Sequence, residues 1–465
     1  MLSAQRVTRG LALAGMIGLG ACSPTYQEVV TPSAPAIAQD AAEAFAQQGL
    51  DGAQAGYLLI DQDSGEILSA FHADKALIPA STAKLLTAVA ALEVLGPGHR
   101  FVTKLCQAGD HLYLVGGGDP DLDIGDLAEM ADDAAGFLAS VEMPASFIID
   151  DSLAPREYVS ADQPKSAYYN PEVGALTIRD ALVYIHWQPE GGNAVSLYQS
   201  PDTGLTEVPT DWLLELPSGS KGDARYPVKD PGLHAGAVFQ QLAVAQGLEL
   251  PEPVRGNAPD KECQEIARHE SAPMIDLVEN MLETSSNIQA ELIGLAVSRA
   301  LGDQPANLAQ SSARLRDWWA QKVSGMDWSG MALNNHSGLD SEGRMTARQM
   351  LAVLEYVARK PALKRAFFPR LAVSGWKGWL KDRLDRPETA LRVWAKTGTM
   401  NYGVALAGRF FGQSERPVLF AVFVSDLEER SVADVGGQNA VPAGQWNQKA
   451  KASIDSLMRS WLQNY

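Results

Sequence analysis

Three short motifs, far apart in the chain, constrain the fold more than any other feature of the sequence. They are Ser81-x-x-Lys84, Ser285-x-Asn287 and Lys396-Thr397-Gly398. Each pattern alone occurs by chance in many chains of this length. Here, however, the three follow one another in a fixed order, and each lies in a distinct type of segment: the first opens an apolar helix, the second separates two helical stretches and the third lies in a β-rich run. We therefore predict that the chain folds to bring the three motifs into one site.

Length and charge limit the classes of protein to which the chain can belong. It has 465 residues, of which 46% are hydrophobic and 20% charged, an ordinary globular composition. This length suits one large domain with a second domain of moderate size. The formal net charge of -18 argues against a polyanion-binding surface, so nucleic acid is not expected as a partner.

Residues 1–22 have the pattern of an export signal peptide. Arg6 and Arg9 precede an apolar run from Leu11 to Gly20, which is too short to span a membrane as a helix. The segment ends in Leu19-Gly20-Ala21-Cys22, which resembles the lipobox of bacterial lipoproteins; in that resemblance Cys22 is lipidated and becomes the mature N-terminus. Ordinary cleavage after a small residue is the alternative.

The residues after Cys22 predict a lipid-anchored protein of the bacterial periplasm. Ser23, rather than an aspartate, follows the cysteine, which within the same resemblance favours anchoring to the outer membrane. Residues 23–38 are rich in Pro, Ser and Thr without a sustained period, so we expect a flexible tether between the membrane and the folded body.

An inserted domain is predicted between the first and second motifs. From residue 105 to residue 263, short apolar runs alternate with clusters of Gly, Pro and Asp, which indicates a β-rich domain. Cys106 and Cys263 lie at its two ends and are the only cysteines after Cys22. In an oxidising compartment these two can pair. Two buried free thiols are the alternative.

Residues 39–104 and 264–465 are predicted to form one catalytic domain of the α+β class. We expect a β-hairpin in AGYLLIDQDSGEILSAF, and a buried helix that begins at Ser81. Residues 272–302 have helical spacing on both sides of a Thr-Ser-Ser-Asn break. Two long strands are predicted for LRVWAKTGTMNYGVALAGRF and RPVLFAVFVSDL, and a terminal helix for AKASIDSLMRSWLQ. Strands from both chain ends predict an antiparallel sheet with helices on its faces.

The residue types of the first two motifs suit nucleophilic catalysis by a serine. Ser81 needs a base, and Lys84 lies one helical turn further on, facing the same side. Burial and the positive charge of Lys396 would lower the pKa of Lys84 and keep its amine neutral part of the time. Ser285 can pass a proton toward a leaving amine, and the amide of Asn287 can bind a substrate carbonyl and orient Lys84.

The third motif and the residue after it suit the recognition of a carboxylate. Lys396, Thr397 and Thr399 offer a positive charge and hydroxyl donors, and Gly398 would let a flat substrate lie close against the strand. The backbone N–H groups of Ser81 and Thr399 are candidates for an oxyanion hole.

Other hydrolase templates do not occur in the sequence. No serine lies in Gly-x-Ser-x-Gly, no His-Glu-x-x-His occurs and the seven histidines have no ligand spacing. We therefore expect neither a metal nor a cofactor. His336, in the run NNHSGLD, is interpreted as a structural residue at the border of the cleft.

Seven stretches resemble the class C penicillin-binding proteins of low molecular mass, which are serine D-alanyl-D-alanine carboxypeptidases and endopeptidases that trim peptidoglycan stem peptides. The stretches are PASTAKLLTA, LYLVGGGDPDL, YPVKDPGLHAGAVF, ETSSNIQAELIG, NNHSGLDSEGRMT, LAVSGWKGWLKDRL and AKTGTM. The resemblance implies a transpeptidase-like or β-lactamase-like penicillin-binding domain, interrupted by a β-rich insertion. It implies for the motif residues the same roles that their chemistry suggests.

Three positions depart from the usual pattern of that family. Ser286 stands where an Asp is usual, Asn335-His336 stand where Asp-Gly is usual, and Asp426 stands where an Asn is frequent. None of these changes removes a catalytic group. They bear on substrate preference, particularly toward the charged end of the stem peptide, and on the rate.

Motifs and resemblance together predict an acyl-enzyme mechanism. Ser81 would attack the peptide bond before a terminal D-alanine of a stem peptide, or the equivalent bond of a cross-link, and β-lactams would acylate it as substrate mimics. A β-lactamase or esterase of the same fold and a non-catalytic cell-wall-binding protein are the alternatives. The long insertion argues against the first and the intact motifs against the second.

Overall fold

The computed structural model of the protein describes residues 43–50, 54–189, 195–199, 221–259, 261–436 and 440–465. The predicted signal peptide (1–22), the predicted tether (23–38) and Cys22 lie outside these residues.

The helices and strands follow one another in three blocks along the chain. The first block contains β1 (Ala55–Asp61), β2 (Ile67–Phe71) and α1 (Lys84–Val94). The second contains β3 (Val102–Ala108), β4 (His111–Val115), α2 (Ile124–Leu138), β5 (Ser146–Asp150), β6 (Leu182–Pro189), β7 (Val195–Gln199), β8 (Gly222–Pro227), α3 (Pro231–Ala245), β9 (Pro253–Arg255) and β10 (Gln264–Glu270). The third contains α4 (Met274–Thr284), α5 (Asn287–Ala300), α6 (Leu308–Lys322), α7 (Ala347–Ala358), α8 (Pro361–Phe367), β11 (Ala372–Val373), β12 (Val393–Met400), β13 (Gly403–Phe411), β14 (Pro417–Ser425), α9 (Leu427–Gly436) and α10 (Ala440–Asn464).

A six-stranded antiparallel sheet forms the centre of the catalytic domain. Its strand order is β11-β12-β13-β14-β1-β2, so the predicted N-terminal hairpin pairs with the C-terminal strands along β1 and β14. Apolar side chains on one face pack against α1, α4, α5 and α7, and those on the other face pack against α10. The predicted α+β class, with an antiparallel sheet built from both chain ends and covered by helices, is confirmed.

One strand prediction was wrong. The stretch LRVWAKTGTMNYGVALAGRF forms two strands, β12 and β13, which pair antiparallel around a turn at Asn401 and Tyr402. Tyr402 has a φ of 55°, in the left-handed region that non-glycine residues enter mainly in turns. Because Tyr402 is also buried and apolar residues flank the turn on both sides, hydrophobicity did not mark it.

Within its described residues, the insertion contains two sheets and two helices. A five-stranded sheet has the order β10-β3-β4-β5-β9, and a three-stranded sheet has the order β7-β6-β8. Helices α2 and α3 pack their apolar side chains on the larger sheet. The β-rich prediction did not include these helices, although an Asp123 capping box and an Asp230 N-cap before Pro231 mark where they begin.

The two ends of the insertion are joined covalently. Strand β3 pairs with β10, so the predicted bounds, 105 and 263, fall within or beside adjacent strands. Cys106 and Cys263 form a disulfide with their Cα atoms 5.4 Å apart. Of the two outcomes left open for these cysteines, the structure has the disulfide.

Helix α1, which follows Ser81, lies in the middle of the helical layer. Its residues from Lys84 to Leu92 are all buried, which agrees with the prediction of a buried helix. Across the residues that the structure describes, no helix is both long enough and apolar enough to cross a membrane.

Candidate active site

Ser81 lies in a 3-10 turn, Ala80–Ala83, that leads directly into α1. Lys84 is the first residue of the helix and is fully buried. Its Nζ atom is 2.9 Å from Ser81 Oγ. The turn and the helix therefore place the predicted base within hydrogen-bond distance of the predicted nucleophile.

Three oxygen atoms surround the amine of Lys84. Besides Ser81 Oγ, they are Asn287 Oδ1 at 2.7 Å and the carbonyl oxygen of Ser337 at 2.9 Å. A neutral amine has two N–H donors and one lone pair. The two carbonyl-type oxygens can take the donors, which leaves the lone pair for the hydroxyl of Ser81, as proton removal requires.

Electrostatics favours the neutral form of Lys84. Burial, and after it the positive charge of Lys396, lowers the pKa of Lys84 well below its ordinary value, while Glu291 opposes the shift. Burial also lowers the pKa of Lys396 to about 7. The sequence predicted a lowered pKa for Lys84, and the structure shows both expected causes, burial and the nearby charge of Lys396.

The second motif forms the junction between α4 and α5. Ser285 has a φ of 62° and ends α4, and Asn287 begins α5. The left-handed residue turns the chain so that Ser285 Oγ meets Lys396 Nζ at 2.8 Å, while Asn287 reaches Lys84. The other end of the Asn287 amide donates to the carbonyl oxygen of Tyr169, at 2.7 Å, so the insertion helps to orient it.

The third motif lies on β12, along one wall of a cavity of about 510 Å³. Ser81, Ser285, Asn287, Thr397 and Thr399 all line this cavity. All three predicted motifs therefore meet at one cleft. The roles of the side chains toward a substrate, and of the backbone N–H groups of Ser81 and Thr399, stay predictions.

Close packing gives Gly398 a reason to be glycine in addition to the one that we expected. A β-carbon at this position would stand 2.7 Å from the carbonyl oxygen of Pro79 and 3.1 Å from the β-carbon of Ala80. The missing side chain therefore lets β12 pack against the turn that carries Ser81, and the role of Gly398 toward a flat substrate stays a prediction.

Sequence reasoning missed Glu291 and Ser337. Glu291 is fully buried and accepts hydrogen bonds from the backbone N–H groups of His336, at 2.8 Å, and Ser337, at 2.9 Å. Burial raises the pKa of its carboxyl to about 7. A carboxylate four residues after Asn287, within the run from Ala290 to Val297 that is otherwise free of polar side chains, was the available signal, because that spacing places both side chains on one face.

The three departures from the family pattern have local structural partners. Ser286 accepts from Gln289 N as the N-cap of α5 and donates to Asp180 Oδ1 at 2.7 Å. Asn335 Nδ2 donates to the carbonyl oxygen of Leu339 at 2.7 Å. Asp426 Oδ1 accepts from the backbone N–H of Glu429 at the start of α9.

His336 is a packing residue rather than part of the cleft chemistry. It is buried, its Nε2 atom lies 2.7 Å from Ser311 Oγ, and its ring leaves no room for a β-carbon at Gly294. Among the described residues, no group of three or more His, Cys, Asp or Glu side chains is placed to hold a metal ion.

Comparison with known proteins adds independent information. The model of the D-Ala-D-Ala carboxypeptidase 3 (S13) family matches residues 37–211 and 216–442. A D-alanyl-D-alanine carboxypeptidase of Actinomadura sp. (strain R39) is 26% identical over 451 residues, which cover 86% of this chain and 82% of that protein. A carboxypeptidase of Mycobacterium tuberculosis is 28% identical over 450 residues, covering 90% of this chain and 85% of that protein.

The fold also has a counterpart among solved structures. Penicillin-binding protein 4 of Haemophilus influenzae superposes with a TM-score of 0.75 at 19% sequence identity, covering 91% of this chain and 98% of that one. At this level of identity the likeness concerns the fold, which includes the insertion because nearly the whole of both chains is covered.

Proposed function

This chain belongs to the D-Ala-D-Ala carboxypeptidase 3 (S13) family, and from that premise we propose that it is a serine D-alanyl-D-alanine carboxypeptidase and endopeptidase acting on peptidoglycan stem peptides. The family that the motifs predicted is thereby confirmed. The observation that carries the proposal is the 2.9 Å hydrogen bond between Ser81 Oγ and the buried amine of Lys84.

Acylation begins at this pair. Neutral Lys84 takes the proton of the Ser81 hydroxyl while Oγ attacks the carbonyl carbon of the bond before the terminal D-alanine. The negative charge that develops on the carbonyl oxygen is expected to face the backbone N–H groups of Ser81 and Thr399.

Release of D-alanine requires a proton on its nitrogen. Ser285 and Lys396 form the route that the geometry supports best, because Ser285 lines the cleft and the buried Lys396 Nζ donates to Ser285 Oγ at 2.8 Å. As the C–N bond breaks, the nitrogen receives the proton and the peptide stays on Ser81 as an ester. Lys84, which holds the proton of the Ser81 hydroxyl, passes it to the Ser285–Lys396 pair and becomes neutral again. Water then attacks the ester carbonyl carbon and gives a proton to Lys84, which returns it to Ser81 Oγ as the ester bond breaks and the shortened peptide leaves.

β-Lactams should acylate Ser81 by the same first step. Mass spectrometry of the protein after penicillin treatment tests this, with Ser81→Ala as the control. We expect one added penicillin mass on the wild type and none on the variant; an unmodified wild type would contradict the proposal.

Digestion of purified muropeptides, monomeric and cross-linked, tests the reaction itself. Chromatography should show loss of D-alanine from the monomer and cleavage of the cross-link. Rapid turnover of a chromogenic cephalosporin without stable acylation would instead favour a β-lactamase. Peptidoglycan binding without any D-alanine release would favour a non-catalytic protein.

Export and lipid attachment at Cys22 form a second part of the proposal. The signal-like residues 1–22 and the lipobox-like sequence support attachment to the outer membrane on its periplasmic side. The Cys106–Cys263 disulfide agrees with an oxidising compartment. Labelling of cells with a radioactive fatty acid should mark the wild type and leave Cys22→Ser unlabelled; label on both would contradict lipidation at this residue.

A further inference from the structure

One part of the catalytic cavity is cationic. Arg383 and Lys451 line the same cavity as Ser81. Arg383 follows the 3-10 turn Gly378–Leu380, which lies between β11 and β12. In that turn Trp379 Nε1 donates to the carbonyl oxygen of Thr284, at 3.1 Å. Arg383 therefore comes from the segment beside Ser285, the residue that Lys396 contacts.

The charge of Arg383 is balanced within the fold. Its guanidinium donates to both carboxylate oxygens of Asp455, at 2.6 and 3.3 Å. Asp455 lies on α10, one helical turn after Lys451. The single negative charge of Asp455 is thus paired with the guanidinium of Arg383, which binds both of its carboxylate oxygens.

Lys451 supplies a positive charge that the fold does not balance in this way. No side chain in the described ranges of the chain forms a hydrogen bond or ion pair with its ammonium group. Burial, and then the charge of Arg383, lowers the pKa of Lys451, with Asp455 opposing the shift. A half-buried ammonium beside a guanidinium gains free energy when an anion binds between them.

The proposed function specifies which anions can reach this place, and the inference rests on it. A leaving D-alanine has one carboxylate, for which Lys396, Thr397 and Thr399 are the predicted partners. A cross-link instead releases a whole peptide strand, with a carboxylate beside the reacting amine and others elsewhere on the strand. A cavity of about 510 Å³ has room for more than a single alanine.

We propose that Arg383 and Lys451 bind a second carboxylate of the leaving peptide strand, and that Lys451 thereby makes the enzyme select cross-linked peptides over monomeric ones. The cationic pair adds binding free energy only when the leaving group extends beyond the first carboxylate. In a chain with a net charge of -18, such a local excess of positive charge attracts an anionic strand specifically to this part of the cavity.

The test is a ratio of two activities of the same enzyme. For each variant, kcat/KM is measured with a cross-linked muropeptide and with a monomeric muropeptide ending in D-alanyl-D-alanine, and the first value is divided by the second. Lys451→Glu should lower the ratio by about tenfold, because it replaces attraction by repulsion. Lys451→Arg, which keeps the charge, should hold it within about twofold of wild type.

Lys449→Glu is the matched control. Lys449 lies on the same helix and undergoes the same charge change, but it is exposed and does not line the cavity. Its ratio should equal that of the wild type. A long-range effect of net charge would lower the ratio equally in Lys449→Glu and Lys451→Glu, and would overturn the proposal.

Two further results would also overturn it. A purely structural role of Lys451 would lower both activities in proportion, with a reduced melting temperature and an unchanged ratio. A wild type that penicillin does not acylate would end the proposed function and this inference together. A wild type that is acylated, but whose ratio does not respond to Lys451→Glu, would end this inference alone.

Discussion

The carboxylate of Glu291 accepts a hydrogen bond from the backbone N–H of Ser337 at 2.9 Å. The carbonyl oxygen of the same Ser337 accepts one from Lys84, also at 2.9 Å. Glu291 therefore holds in place one of the three oxygens around the amine of Lys84. It also adds a buried negative charge that raises the pKa of Lys84 and partly offsets the effect of Lys396.

Replacing Glu291 by Gln should slow acylation by about 10- to 100-fold. One backbone N–H would then face an amide N–H₂ instead of a carboxylate oxygen, and the Ser337 carbonyl would move away from Lys84. The rate of reaction with a fluorescent penicillin measures this. Glu283→Gln, which changes a half-buried residue of α4 that pairs with Lys377, is the control and should react at the wild-type rate. Equal rates for all three proteins would contradict a role for Glu291 in positioning Ser337.

Gly398→Ala should reduce both acylation and stability. The added methyl group would lie 2.7 Å from the carbonyl oxygen of Pro79. This oxygen belongs to the backbone, which cannot move aside as easily as the end of a flexible side chain. We expect β12 to move away from the Ser81 turn, with a loss of about 1–3 kcal/mol in the free energy of unfolding. Denaturant unfolding and penicillin acylation measure the two effects.

Gly136→Ala provides the comparison for that substitution. Gly136 is exposed on α2, and a β-carbon there meets nothing within 4 Å. It should leave acylation unchanged and stabilise the protein by about 0.5–1 kcal/mol. If Gly398→Ala behaved in the same way, close packing of β12 on the Ser81 turn would not be needed for activity.

Acylation should have a bell-shaped pH profile. Lys84 accepts a proton only when it is neutral, so the rate should rise as the pH passes upward through its lowered pKa. Lys396, whose pKa is about 7, loses its positive charge above that pH, so binding of a carboxylate should weaken on the alkaline side. Stopped-flow acylation from about pH 5 to about pH 10 measures both limbs. Lys396→Arg should move the alkaline limb to higher pH. If the limb does not move, a group other than Lys396 causes it.

Removing the disulfide should destabilise the protein without stopping acylation. Cys106 and Cys263 are 157 residues apart in sequence, so the bond closes a long loop, and its loss should lower the free energy of unfolding by about 2–4 kcal/mol. The double variant Cys106→Ser, Cys263→Ser tests this by thermal unfolding and by limited proteolysis within β3–β10. Penicillin acylation serves as the internal reference, since neither cysteine lies in the cleft. Unchanged stability would show that the pairing of β3 with β10 suffices by itself.

Local sequence patterns predicted those parts of the fold that depend on near neighbours. The hairpin β1–β2 and the buried helix α1 each follow from periodicity over a few residues. The same reasoning missed the turn at Asn401 and Tyr402. Neither of these two central residues is a glycine or a proline, and Tyr402 is buried like a strand residue. Helices α2 and α3 were missed because strand-like runs around them outweighed their capping residues.

The sequence by itself determined the reacting groups and their local pairing, since Ser81 and Lys84 are three residues apart and one helical turn must place them side by side. Only the tertiary structure decided the rest of the site. Lys84 reaches Asn287 and Ser337 across 203 and 253 residues of chain, and Lys396 reaches Ser285 across 111. Contacts over such separations depend on strand register and on how helices pack against the sheet, and these arise from the whole core rather than from any short stretch of sequence.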